Sequence, residues 1–183
     1  SLSLEQKVDA IRRVAEALHA VHRLGMVHRD VKPGNIMLEP RDDGGWWPYV
    51  MDFGLVQDTG SQGLTMTGAV VGTPGYMSPE QLRGERNLDP RADVYGLGAT
   101  LYEALVGRPP FGDAATVDVM VQALGSDPMP LRRSNPLLPI ELDTVVMKCL
   151  EKEPHRRYES ALALADDLKR WLDGETVLAQ RAS

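Results

Sequence analysis

The run His28-Arg29-Asp30-Val31-Lys32-Pro33-Gly34-Asn35 sets a carboxylate, an ammonium and a carboxamide close together on a segment that Pro33 and Gly34 make a tight polar loop. Phosphoryl transfer from ATP uses this set. A carboxylate orients and finally deprotonates the attacking hydroxyl, an ammonium offsets charge on the transferred group, and an amide oxygen is a hard ligand for Mg²⁺. A second hard ligand is needed, and Asp52 in Asp52-Phe53-Gly54 can supply it, with Gly54 letting the backbone turn behind it. Taken singly, each tripeptide reads equally well as a solvated turn; their order and combination point to chemistry.

These loops need elements to hold them. Leu4, Val8, Ile11, Ala15, Leu18 and His22 recur at helical steps, so a helix is expected from Ser3 to about Gly25, with Ser3 and Gln6 able to form a capping box. Met26 to Leu38 reads as two tiny strands flanking the polar loop, and Leu38 pairs across a loop with Tyr49-Val50-Met51 as a β-hairpin. Within that loop Asp42-Asp43-Gly44-Gly45 is a solvated turn rather than a metal site, and Trp46-Trp47 pack against the surface nearby. Asp52 to Pro79 shows no sustained period, and long irregular segments of this kind are functional or mobile. Val94, Leu97, Gly98, Leu101 and Leu105 give a helix with almost no charge, hence one buried on most sides. Further helices are expected at about 114–124, 139–150 and 160–172, so the chain is mainly α.

Composition excludes several classes. The 183 residues carry 20 Lys+Arg against 26 Asp+Glu, a net charge of −6, and the basic residues are scattered, which argues against a nucleic-acid footprint. The single Cys149 cannot form an internal disulfide and fits a reducing cytoplasm; its place on an apolar stripe predicts burial. No stretch has the length a membrane helix needs. One domain with one sizeable core is the expectation. Met26, Met37 and Met51 read as core or nucleotide-floor residues, and His19, His22 and His155 as surface or packing residues. Asp166-Asp167 reads as an exposed face of the last helix.

In this order the motifs resemble the protein kinase family. His28 to Asn35 is similar to its catalytic loop, Asp52-Phe53-Gly54 to its magnesium loop, and Gly72-Thr73-Pro74-Gly75-Tyr76-Met77-Ser78-Pro79-Glu80 to the end of its activation segment, with Ser78 where Ala is commoner. Asp93-Val94-Tyr95-Gly96-Leu97-Gly98 is similar to its buried central helix, and the likeness covers essentially the whole chain. The resemblance implies Asp30 as catalytic base, Lys32 as the phosphate-contacting cation, Asn35 and Asp52 as magnesium ligands, and Thr73 beside Asp30 in the substrate shelf. His28 would be structural, Glu80 and Arg157 a buried ion pair, and Asp93 a support beneath the catalytic loop. Arg29 resembles the arginine that pairs with a phosphorylated activation segment, for which Thr65 and Thr67 are candidate acceptors and Ser61 a weaker one. Tyr76 reads as packed in the shelf rather than as an acceptor. Lys32 with Gly72-Thr73 resembles the serine/threonine-specific pattern, and the motif style resembles bacterial members of the family.

The Gly-rich phosphate loop, strand lysine and helix glutamate that such an enzyme also needs have no place in residues 1–183, so the resemblance is to the C-terminal lobe of the catalytic domain, with the N-terminal ATP-binding lobe absent. Asn35 to Asp52 is also longer than the family's usual spacing. The expected function is phosphoryl transfer from Mg·ATP to protein Ser/Thr hydroxyls when joined to that other lobe; the chain alone should be almost inactive. A stand-alone binding module and a small-molecule phosphotransferase are the alternatives, and the peptide shelf at Gly72 to Glu80 argues against the latter.

Overall fold

The computed structural model describes residues 1–53, 63–64, 70–113 and 116–180. Helix α1 (Leu4–His22) opens on the expected capping box: Ser3 Oγ accepts from Gln6 N at 3.1 Å, and Ser3 N donates to Gln6 Oε1 at 2.8 Å. Its stripe of Val8, Ile11, Val14, Ala15 and Leu18 is fully buried. The helix ends at His22, and Gly25 then turns the chain with φ 79°.

The strand expected before the polar loop does not form. Met26 to Val31 is irregular because its backbone donors are claimed from outside any sheet: His28 N and Arg29 N both donate to the Asp93 carboxylate, each at 2.8 Å. After the loop, a 3-10 turn (Pro33–Asn35) leads into β1 (Ile36–Pro40), which pairs antiparallel with β2 (Trp46–Val50) in the register Ile36↔Val50 to Pro40↔Trp46. Arg41 to Gly45 closes this hairpin as an exposed turn, with Gly45 N donating to Asp43 Oδ1 at 3.0 Å. Trp46 is part-buried; Trp47 is flanked by the guanidiniums of Arg13 (4.9 Å) and Arg41 (5.3 Å), so the pair packs against its own surface. A second, minimal antiparallel pair joins β3 (Gly63–Leu64) to β4 (Val70–Val71).

The remaining elements are helical: α2 (Pro79–Leu82), α3 (Arg91–Val106), α4 (Val117–Gly125), α5 (Leu131–Ser134), α6 (Ile140–Cys149) and α7 (Ala161–Leu172). The two four-residue helices α2 and α5 are too short to show a period in sequence. Helix α3 is the axis of the fold, buried continuously from Ala92 to Tyr102, with α1, α6 and α7 packed around it. Close approach depends on Gly98, where a β-carbon would lie 2.4 Å from Cys149 Cβ of α6, and on Gly96, where it would lie 2.9 Å from Val31 Cβ beneath the polar loop. Cys149 is buried as expected. Asp167 is not on an exposed face: it is 1% exposed and accepts from Tyr158 Oη (2.7 Å), Leu178 N (2.6 Å) and Ala179 N (2.9 Å), tying the tail back onto α7. Among the described residues no helix is long and apolar enough to cross a membrane.

Candidate active site

The polar loop carries its own scaffold. Asp93, at the first turn of α3 and 1% exposed, accepts from His28 N through Oδ2 and from Arg29 N through Oδ1. Arg29 takes φ 71°, a left-handed conformation rare for a residue with a β-carbon, and the Asp93 grip holds it there. The turn at Arg29 aims Asp30 outward, where its side chain is 38% exposed.

His28 joins this loop to the one containing Asp52. Its ring is 1% exposed, lies edge-on to Phe53 at 4.7 Å, and has both nitrogens engaged. Asp30 N donates to Nδ1 at 3.1 Å, so Nδ1 is the acceptor and Nε2 carries the proton it gives to Met51 O at 2.9 Å. Met51 N in turn donates to Asn35 O at 2.8 Å, extending the β1–β2 pairing by one bond. Asp52 follows directly, exposed and with φ 54°.

Four of the residues singled out in sequence come together. Asn35, 5% exposed, donates through Nδ2 to Asp30 O (2.8 Å) and to Asp30 Oδ2 (2.9 Å). Lys32 Nζ stands 3.5 Å from Asp30 Oδ1 and donates to Thr73 Oγ1 at 3.3 Å. Asn35 is held by its amide nitrogen, which turns its Oδ1, the hard acceptor, away from Asp30. With the Asp52 carboxylate one residue past the hydrogen-bonded strand end, the chain offers two oxygen donors of the type Mg²⁺ takes. Gly54, Ser61, Thr65 and Thr67 lie outside the described residues.

Beyond Thr73, a 3-10 turn (Pro74–Tyr76) and helix α2 wall the site. Tyr76 is part-buried and its hydroxyl donates to Glu103; burial, then that hydrogen bond, push its phenol well above the usual range. Glu80 of α2 meets Arg157 in a two-bond fork of 2.6 and 2.7 Å. Arg157 spends its other donors on Glu151 O, Arg91 O and Lys152 O, so all five guanidinium N–H groups are satisfied in a side chain that is 0% exposed.

Two contributors escape the sequence reading. Of the two readings given for His22, surface or packing, packing holds, but its partner was not foreseen: its side chain is 4% exposed and Nε2 donates to Asp93 Oδ2 at 2.7 Å, a third hydrogen bond on that carboxylate. Its position on the Leu18 stripe is the one signal of burial. Gln81 is 3% exposed and reaches from α2 to Arg29 O at 2.7 Å, a contact across 52 positions that no local pattern marks. Met26, Met37 and Met51, 52%, 51% and 36% exposed, form no part of the core.

Residues 1–168 match the family model for the protein kinase domain. The chain belongs to the protein kinase family. The kinase chain is 41% identical over 174 residues to the serine/threonine-protein kinase PknB of Mycobacterium tuberculosis strain H37Rv, covering 93% of this chain and 27% of that protein. To PknB of Mycolicibacterium smegmatis it is 43% identical over 171 residues, 92% of this chain and 26% of the relative. The chain thus spans about a quarter of the length of these curated relatives. Its fold is similar to that in a crystal structure of Rad53 1-466 in complex with AMP-PNP, with TM-score 0.70 and 23% identity over 91% of this chain and 40% of that one.

Proposed function

We propose that this chain is the C-terminal, substrate-binding lobe of a serine/threonine protein kinase, and that it transfers the γ-phosphoryl group of Mg·ATP to protein Ser/Thr hydroxyls when joined to an N-terminal ATP-binding lobe. The observation that carries the reading is the convergence of Lys32 Nζ on Asp30 Oδ1 (3.5 Å) and Thr73 Oγ1 (3.3 Å), with Asn35 Nδ2 on Asp30 Oδ2 (2.9 Å). One oxygen of Asp30 is occupied by Asn35; the other, Oδ1, is the one that takes the acceptor hydroxyl's proton. Lys32 stands beside that oxygen, where negative charge on the transferred group is offset, and Thr73 fixes the ammonium by a hydrogen bond. Asn35 Oδ1 and the Asp52 carboxylate are the oxygens that would hold Mg²⁺; when bound, Mg·ATP supplies the phosphoryl donor and neutralises its charge. The exposed methionines support a missing lobe: Met26, Met37 and Met51, flanking the two loops, are apolar surface that a nucleotide and a second lobe would cover.

The test is radiolabelled phosphate transfer by the full-length gene product to a generic basic protein, followed by phosphoamino-acid analysis. The reading predicts phosphoserine and phosphothreonine, with loss of at least about 10³-fold in Asp30→Asn, the scale of a general base at a positioned site. Phosphotyrosine as the main product, or an active Asp30→Asn, overturns it.

A further inference from the structure

We propose that Gln81 is a positioning residue for Asp30, locking the peptide group that orients the base to the helix that ends the substrate shelf. This rests on the reading of Asp30 as the base.

Gln81 lies in α2 with its side chain almost wholly buried. Its Oε1 accepts from Ser78 N at 3.1 Å and from Ser78 Oγ at 3.2 Å, which completes the capping box of α2. Because an amide oxygen only accepts and its nitrogen only donates, these bonds fix the orientation of the carboxamide and turn Nε2 towards the polar loop. There it donates to Arg29 O at 2.7 Å.

Arg29 O belongs to the peptide group that joins Arg29 to Asp30. The N–H of the same group donates to His28 Nδ1 at 3.1 Å, so the peptide plane carrying Asp30 is held at both ends. Holding matters because Arg29 sits at φ 71°, from which a residue with a β-carbon relaxes when its partners are lost. Asp93 clamps the front of that residue through Arg29 N, and Gln81 clamps the back through Arg29 O. Asp93 and His28 tie the loop to α3 and to itself, whereas Gln81 ties it to the segment bearing Thr73 and Tyr76. That anchor is firm, because Glu80, one residue earlier, is forked by the buried Arg157.

Helix capping alone does not require glutamine. A glutamate at the same position caps equally well but cannot donate to Arg29 O. This difference separates a capping role from a positioning role.

The experiment measures steady-state kinetics of the full-length protein with Gln81→Glu, Gln81→Met, Ser78→Ala and Asp30→Asn, alongside their melting temperatures. The expected result is a fall in kcat of about 10- to 100-fold in both Gln81 variants, the scale of a small misplacement of a catalytic group, with KM for Mg·ATP within about two-fold. Ser78→Ala removes one of the two bonds that orient the carboxamide but keeps Ser78 N on Oε1, so its kcat falls less than that of Gln81→Glu. Raising kcat-loss variants' substrate concentrations does not rescue them. The proposal is overturned if Gln81→Glu keeps wild-type kcat, or if Ser78→Ala loses as much as Gln81→Glu, which would make the effect one of capping and stability. If Gln81→Met does not fold, Gln81→Glu, with its cap intact, decides. An active Asp30→Asn would instead refute the assignment of the base, whatever the Gln81 variants do.

Discussion

Replacing Asp93 by Asn tests how the polar loop is held. The native carboxylate accepts three hydrogen bonds, from His28 N and His22 Nε2 on Oδ2 and from Arg29 N on Oδ1, at 2.7–2.8 Å. An amide has one acceptor oxygen. The best placement leaves that oxygen facing His28 and His22 and turns an N–H₂ group against Arg29 N, so one buried donor faces another. Leaving a buried donor unpaired costs about 1–3 kcal/mol, and the two surviving bonds fall from charge-assisted to neutral strength, about 1 kcal/mol less each. The sum is about 3–5 kcal/mol, or about 6–20 °C in Tm for a chain of this size. The Arg29 N–H should show the change most sharply, because the left-handed φ of 71° costs about 1–2 kcal/mol and loses its restraint. Hydrogen exchange followed by mass spectrometry or NMR on Asp93→Asn should show protection of the Arg29 amide reduced by about 100-fold, with phosphoryl transfer by the full-length protein falling by a similar factor. Unchanged protection at Arg29, with Tm within a degree of wild type, would refute the claim that Asp93 holds the loop.

Further outcomes follow from the same packing. Glu80→Gln should destabilise by about 3–5 kcal/mol, because Arg157 is left as a buried charge, whereas replacing Glu80 and Arg157 together with Leu and Met should cost much less; urea unfolding of the two variants measures the difference. Gly98→Ala should cost about 1–3 kcal/mol by the same assay, since its methyl group would stand 2.4 Å from Cys149 Cβ. Burial pushes the Cys149 thiol well up, so a disulfide reagent at pH 9 should label it only after denaturation, although an open thiol would be largely thiolate there. Burial pushes Lys152 down to about 8, below its unfolded range, so the unfolded chain binds the extra proton between about pH 8 and 10.4. Stability relative to Lys152→Met should therefore rise with pH across that window and stay level below it, read as the difference in urea midpoints.

The large helices were legible because each buries one continuous stripe: α1, α3, α6 and α7 appear within a residue or a few of their sequence patterns. The clustering of Asp30, Lys32 and Asn35 was legible through residue type and order, since they fall within six residues of one polar loop. What the sequence did not show is how backbone donors are shared out. Val27-His28 has strand-like composition, yet no strand forms there because Asp93, 65 positions from His28, takes the N–H groups. Asp167 reads as exposed because a charged residue beside Asp166 on an amphipathic helix usually is; here it accepts hydrogen bonds from Tyr158 and from the backbone of the tail. Long-range hydrogen bonds carry no local period, so pattern reading misses them.

The most direct test of the two-lobe account compares the isolated chain 1–183 with the full-length gene product in one Mg²⁺-dependent phosphate-transfer assay, with circular dichroism confirming that the isolated chain is helical. The account predicts robust transfer by the full-length protein, abolished by Asp30→Asn, and none above background by the folded isolated chain. Turnover by the isolated chain at a rate comparable to the full-length protein would contradict it.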